Sequence, residues 1–141
     1  MARVIALVPD LLFGSQVQGS LQAAGHDVAL AGDEAKVRER LSSAGAAPEV
    51  AHGADVDAES AAEGATVLVV DLTDDRFDGA AILEALAADG VLDGVSTLAF
   101  YSHVDADVRE RATQAGFDLV VPRSRMAREG AQLVARLAAD G

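Results

Sequence analysis

Apolar residues come along this chain in short blocks, each closed by a polar or turn-forming pair. Val4 to Val8 is an unbroken apolar run, the pattern of a strand buried on both faces, and Pro9-Asp10 stops it. Ser15 stands where a helix N-cap is expected, and Val17, Leu21 and Ala24 then recur at helical spacing until Gly25. Val28 to Ala31 predicts a second strand, ended by Gly32-Asp33, and Val37 and Leu41 share one face of a charged helix expected over 34–44. The stretch from Gly45 to Gly64 carries Pro48 and scattered acids, and supports only a short strand at 49–51 and a weak helix over 55–62. Val67 to Val70 is the strongest buried strand and ends in Asp71. A helix over 79–88, a strand over 97–101, a helix from an Asp105 cap to Ala115, a strand over 119–121 and a helix over 127–139 complete the chain.

Five apolar strands alternating with five helices predict a parallel sheet covered on both faces. Sites in such sheets lie beyond the carboxyl ends of the strands, where the strand order reverses. That rule selects Asp10, Asp33, Asp71 with Thr73, Asp74 and Asp75, then Ser102-His103, and Arg123-Ser124. A chain of 141 residues is expected to form one domain over 1–141, with an extended connection at about 45–64.

Composition narrows the chemistry. Half the residues are apolar but only four Phe and one Tyr are aromatic, so the core is built mainly of Ala, Val and Leu. The net charge of −12 repels phosphate backbones and anionic membranes, which excludes both as partners. There is no cysteine, hence no disulfide or thiolate chemistry. The first apolar run is too short for a signal peptide or membrane span, so a cytoplasmic protein is expected. No Gly-x-Gly-x-x-Gly or phosphate-cradling loop is present. Gly14-Ser15 and Ser102 lack a nucleophile-elbow context, and His26 and His52 have no partners at metal-ligand spacing.

By itself, a carboxylate at the end of a central strand can be a nucleophile, a metal ligand or a helix cap, and capping is the commonest of these. Asp71, however, is followed by Thr73, Asp74 and Asp75 and, seven and eight positions on, by Asp78-Gly79. Ala115-Gly116 precedes the fifth strand. In this order and on these strand ends, the pattern resembles the receiver domain of bacterial response regulators over nearly the whole chain. The resemblance implies a flavodoxin-like, doubly wound five-stranded parallel sheet of order 2-1-3-4-5. It makes Asp71 the candidate phospho-acceptor, with Mg²⁺ held by Asp10, Asp71 and the carbonyl of Thr73. It puts Tyr101 or Ser102 at the family's switch position and Arg123 where the family keeps a phosphoryl-contacting Lys. It further implies a protein partner, a kinase or a target, and a homodimer through the fourth helix and fifth strand.

The departures weigh on the chemistry. Pro9 stands where the family has its first metal-organising acid, which weakens a cation that demands octahedral oxygen ligation; Asp33, Asp74 and Asp75 are the acids left to compensate. Arg123 keeps the charge of the Lys with a planar fork in place of a compact ammonium. Arg123-Ser124-Arg125 can bind an anion at a helix start or pair with the acids around Asp71, and the second is expected. No output module is expected after the last helix. The expectation is a stand-alone, atypical receiver-like domain that signals by protein–protein contact and is not an enzyme, held in one state or switched by something other than phosphotransfer. The alternative is a small-molecule binding or catalytic pocket on the same edge, using Asp71, Ser102, His103 and Arg123.

Overall fold

The apolar runs assemble into one parallel sheet of order β2-β1-β3-β4-β5, as expected for the flavodoxin-like receiver architecture. The computed structural model describes residues 2–45, 65–73, 78–92, 94–102 and 106–140. The strands are β1 (Ala2–Leu7), β2 (Asp27–Ala31), β3 (Ala65–Asp71), β4 (Val95–Tyr101) and β5 (Leu119–Pro122). The helices are α1 (Leu11–Ala23), α2 (Glu34–Gly45), α3 (Gly79–Ala88), α4 (Ala106–Ala115) and α5 (Arg123–Asp140). The expected strand at 49–51, the helix over 55–62 and the Asp105 cap lie outside the described residues.

Side chains alternate across the strands and divide the core in two. On one face Val4, Ala6, Val67, Val69, Leu98 and Phe100 pack against Phe13, Val17 and Leu21 of α1 and Met126, Leu133 and Val134 of α5. On the other, Ile5, Leu7, Leu68, Val70 and Ala99 pack against Val37 and Leu41 of α2, Leu83 and Leu86 of α3 and Ala112 of α4. Burying each large apolar side chain is worth about 1.5–3 kcal/mol, so both layers are needed to hold the sheet. Gly116 closes α4 in the left-handed region at φ 109°, where its N–H reaches the Thr113 carbonyl and that of Phe117 the Ala112 carbonyl. A side chain there would be strained, which is why a glycine ends this helix. Among the described residues no helix is long and apolar enough to cross a membrane.

Two helix starts differ from expectation, and both bear on the site. α1 begins at Leu11 with Asp10, not Ser15, as its N-cap. α5 begins at Arg123, four residues earlier than expected, directly after β5.

Candidate functional site

The strand register fixes what meets at the carboxyl edge. Leu7 of β1 pairs with Val70 of β3, Asp71 with Phe100 of β4, and Tyr101 with Pro122 of β5. Since Val67 and Val69 face α1 and α5, alternation turns Asp71 to the same side, next to Phe100. Asp71 is 2% exposed. Its Oδ1 accepts the Thr73 N–H at 2.7 Å and the Thr73 hydroxyl at 2.5 Å, a local turn that folds the chain back just past the strand.

Among the described residues, the other acids of the edge, Asp10, Asp33 and Asp78, are helix caps. Asp10 Oδ1 accepts from the N–H groups of Leu12 at 2.9 Å and Phe13 at 3.2 Å. Asp33 Oδ1 accepts from Lys36 N–H at 2.8 Å, and Asp78 Oδ1 from Ala81 N–H at 3.1 Å. Each satisfies donors that the first turn of its helix leaves unpaired. The Ala81 N–H holds the Asp78 carboxyl below the usual carboxylate range; partial burial opposes this, and the Arg111 guanidinium adds to it. Gly79 follows Asp78 because α3 starts hard against β3: a Cβ there would come within 2.6 Å of Leu72 Cδ2 and 2.7 Å of Val70 Cγ1.

Arg123 faces Asp10. Its Nη2 lies 3.7 Å from Asp10 Oδ2, and its guanidinium carbon sits 4.3 Å from the centroid of the Phe13 ring. That ring in turn packs on Phe100, centroid to centroid at 5.1 Å and tilted by 54°. A cation at the first residue of an 18-residue helix opposes the positive end of the helix dipole by about 0.3–1 kcal/mol. Asp10 and Phe13 supply the compensating contacts. Among the described residues Arg123 meets Asp10 and not the expected acids around Asp71, while Arg125 pairs along its own helix with Glu129 at 3.6 Å.

Of the remaining candidates, Tyr101 is buried at the end of β4 and Ser102 follows it, exposed. Ser124 is exposed in the first turn of α5. Asp74, Asp75 and His103 lie outside the described residues. His26 is buried beside the end of α1, its N–H on the Leu21 carbonyl. Nothing in the local pattern marks Phe13, Phe100 or Arg111 as parts of this edge. Their signal was generic, two apolar core positions and one helix-surface arginine, and only the strand register and helix packing bring them together.

The receiver fold implies a magnesium ion held by Asp10, Asp71 and Thr73, and the contacts of these residues do not fit one. One oxygen of Asp10 faces two backbone N–H groups and the other faces a guanidinium. One oxygen of Asp71 is taken by Thr73, and Pro9 brings no oxygen from its side chain. Among the described residues no three His, Cys, Asp or Glu side chains gather where they could hold a metal ion. Magnesium, which needs several hard oxygens and gives up water reluctantly, would compete with Arg123 for Asp10 Oδ2.

No family model matches the chain, and no curated protein matches its sequence. Solved structures match it along almost its whole length. The signal receiver domain of the putative response regulator NarL from Mycobacterium tuberculosis is 19% identical with a TM-score of 0.68, covering 97% of this chain and 95% of that one. The chemotaxis protein CheY4 of Vibrio cholerae is 14% identical with a TM-score of 0.71, covering 97% and 98%. A putative response regulator from Chloroflexus aurantiacus is 12% identical with a TM-score of 0.73, covering 97% of both chains. At these identities the likeness is one of fold, and the fold is that of receiver domains.

Proposed function

We propose that this chain is a receiver-like signalling module of a single domain that acts by binding another protein, and that Asp71 is not an efficient phosphoryl acceptor. Support for the first half comes from the receiver fold spanning nearly the whole chain. The observation that carries the second is the engagement of Asp10: a helix cap on one oxygen, an arginine on the other. Asp71 in this reading is a structural carboxylate that closes the turn at Thr73. The proposed partner is a kinase or target protein met in the cytoplasm, and Tyr101 and Ser102, at the end of β4, are the residues through which the state of the edge would reach α4 and β5. A signalling role of this kind needs two arrangements of the edge biased by binding, and no turnover.

Incubation with acetyl phosphate and Mg²⁺, followed by intact mass, tests this directly. The wild-type mass is expected to stay unchanged. A gain of one phosphate that disappears in Asp71→Asn would overturn the proposal. The alternative of a small-molecule pocket needs Asp71, Ser102, His103 and Arg123 to converge. Arg123 is turned to Asp10 and Phe13 and Asp71 to Thr73, and His103 lies outside the described residues.

A further inference from the structure

We infer that Arg123 is the resident counter-cation of the acidic edge, standing electrostatically where the receiver fold calls for a divalent metal and closing the edge to magnesium. The inference deepens the functional proposal above and rests on its reading of this edge as a receiver's site.

Three features carry it. First, the Asp10 oxygen facing Arg123 is the one its cap leaves over: Oδ1 serves Leu12 and Phe13, while Oδ2 lies 3.7 Å from Nη2. An incoming cation has to take that oxygen and meets a like charge already on it. Second, the guanidinium is held by more than the ion pair. It lies over the Phe13 ring, and that ring is braced by Phe100, the ladder partner of Asp71. Guanidinium, ring and ring thus form one packed line from the first turn of α5 to the strand that flanks Asp71. Third, the charge is permanent and tethered. A guanidinium stays protonated throughout the physiological range, and because it is part of the chain its local concentration does not depend on the medium. A chelator cannot remove it and a free ion must compete with it.

Mg²⁺ titration of the full chain, followed by amide NMR at matched ionic strength, tests this through the Leu12 and Phe13 signals, whose N–H groups touch Asp10. In the wild type these signals are expected to stay in place at millimolar Mg²⁺. In Arg123→Met, which keeps an unbranched apolar side chain beside Phe13 and removes the charge, they should shift saturably, with affinity raised by about tenfold, the lower end of what a neighbouring charge does at a carboxylate. Adding Asp10→Asn should abolish the gain. Arg123→Gln serves as the neutral variant if the Met variant does not fold. A saturable wild-type shift at Leu12 and Phe13 overturns the inference, as does a folded neutral variant that responds no more than wild type. No phosphoryl donor is present, so the two proposals fail separately. A chain that ignores Mg²⁺ here yet gains phosphate at Asp71 sinks the functional proposal and spares this one; a chain that binds Mg²⁺ and stays unphosphorylated does the reverse.

Discussion

Asp78, at the end of the loop that follows β3, and Arg111, on α4, form an ion pair across 33 positions of sequence, Oδ2 to Nη2 at 2.9 Å. The same carboxylate caps α3 through Ala81, so one side chain fixes the start of one helix and ties it to the next. Asp78→Ala is expected to lose about 1–2 kcal/mol, since a lost cap costs about 1 and an exposed ion pair adds less than about 1. Asp78→Asn keeps a competent cap and should lose under about 1 kcal/mol. Urea unfolding of the single variants and of each combined with Arg111→Ala separates the two parts.

The same residue gives a pH signature. Its carboxyl is held below the usual range in the folded protein, first by the Ala81 N–H, so the unfolded chain binds the proton more readily. The stability Asp78 contributes is complete above the unfolded-state pKa and fades as pH falls through the folded one. The difference between wild type and Asp78→Asn should hold at neutral pH and close below about pH 4. Parallel denaturant curves down the pH series measure it, and a gap that widens on acidification contradicts the assignment.

Gly79→Ala adds one methyl against two packed side chains, Leu72 Cδ2 and Val70 Cγ1. Alanine is the better helix former, by up to about 1 kcal/mol in a helix interior, but overpacking a core costs about 1–3 kcal/mol. Val70 is fully buried in the sheet and can give little. The net effect expected is destabilisation, seen as a lower thermal midpoint.

Thr97 and Asp118 tie β4 to the start of β5. Asp118 Oδ2 accepts the Thr97 N–H at 2.8 Å, and the Asp118 N–H donates to Thr97 Oγ1 at 2.9 Å. Asp118→Ala leaves the N–H of a buried residue without this acceptor, a loss of about 1–3 kcal/mol. Because β5 is an edge strand of four residues, amide exchange should rise in β5 before it rises in β3. Equal acceleration in both strands would show that the tie is not local.

Phe13 and Arg123 should be energetically coupled. In a double-mutant cycle of Phe13→Leu and Arg123→Met, chemical unfolding is expected to give an interaction of about 0.5–1 kcal/mol, the range for a cation that is itself still open to solvent, as Arg123 is. Coupling near zero would mean that the stacking seen here contributes nothing in solution.

The five strands were legible because each is an apolar run closed by a polar pair, and α3 was legible to the residue because Asp78-Gly79 marks its start. The site was less so. Asp10 follows Pro9 at a strand end, and the same residue type in the same place serves as a metal ligand or a helix cap. The helical spacing of Val17 and Leu21 is visible only further on, with Gly14 lying within the first turn, so the pattern alone points to a start at Ser15. The start of α5 was obscured for a related reason. Arg123-Ser124-Arg125 has the wrong charge for a helix N-terminus, and what makes it tolerable is contact with Asp10 and Phe13, some 110 positions away in the chain. Local pattern carries no record of that contact.

Carboxylates that cap helices are kept in place by the demands of folding, whatever chemistry surrounds them. Asp10, Asp33 and Asp78 would each cost its helix about 1 kcal/mol if lost. Selection for a stable fold alone therefore preserves an acidic rim at the end of this sheet after any catalytic use has lapsed. Reactivity at such a rim could be gained or withdrawn by changing one neighbour, while the scaffold survives for reasons that have nothing to do with reactivity.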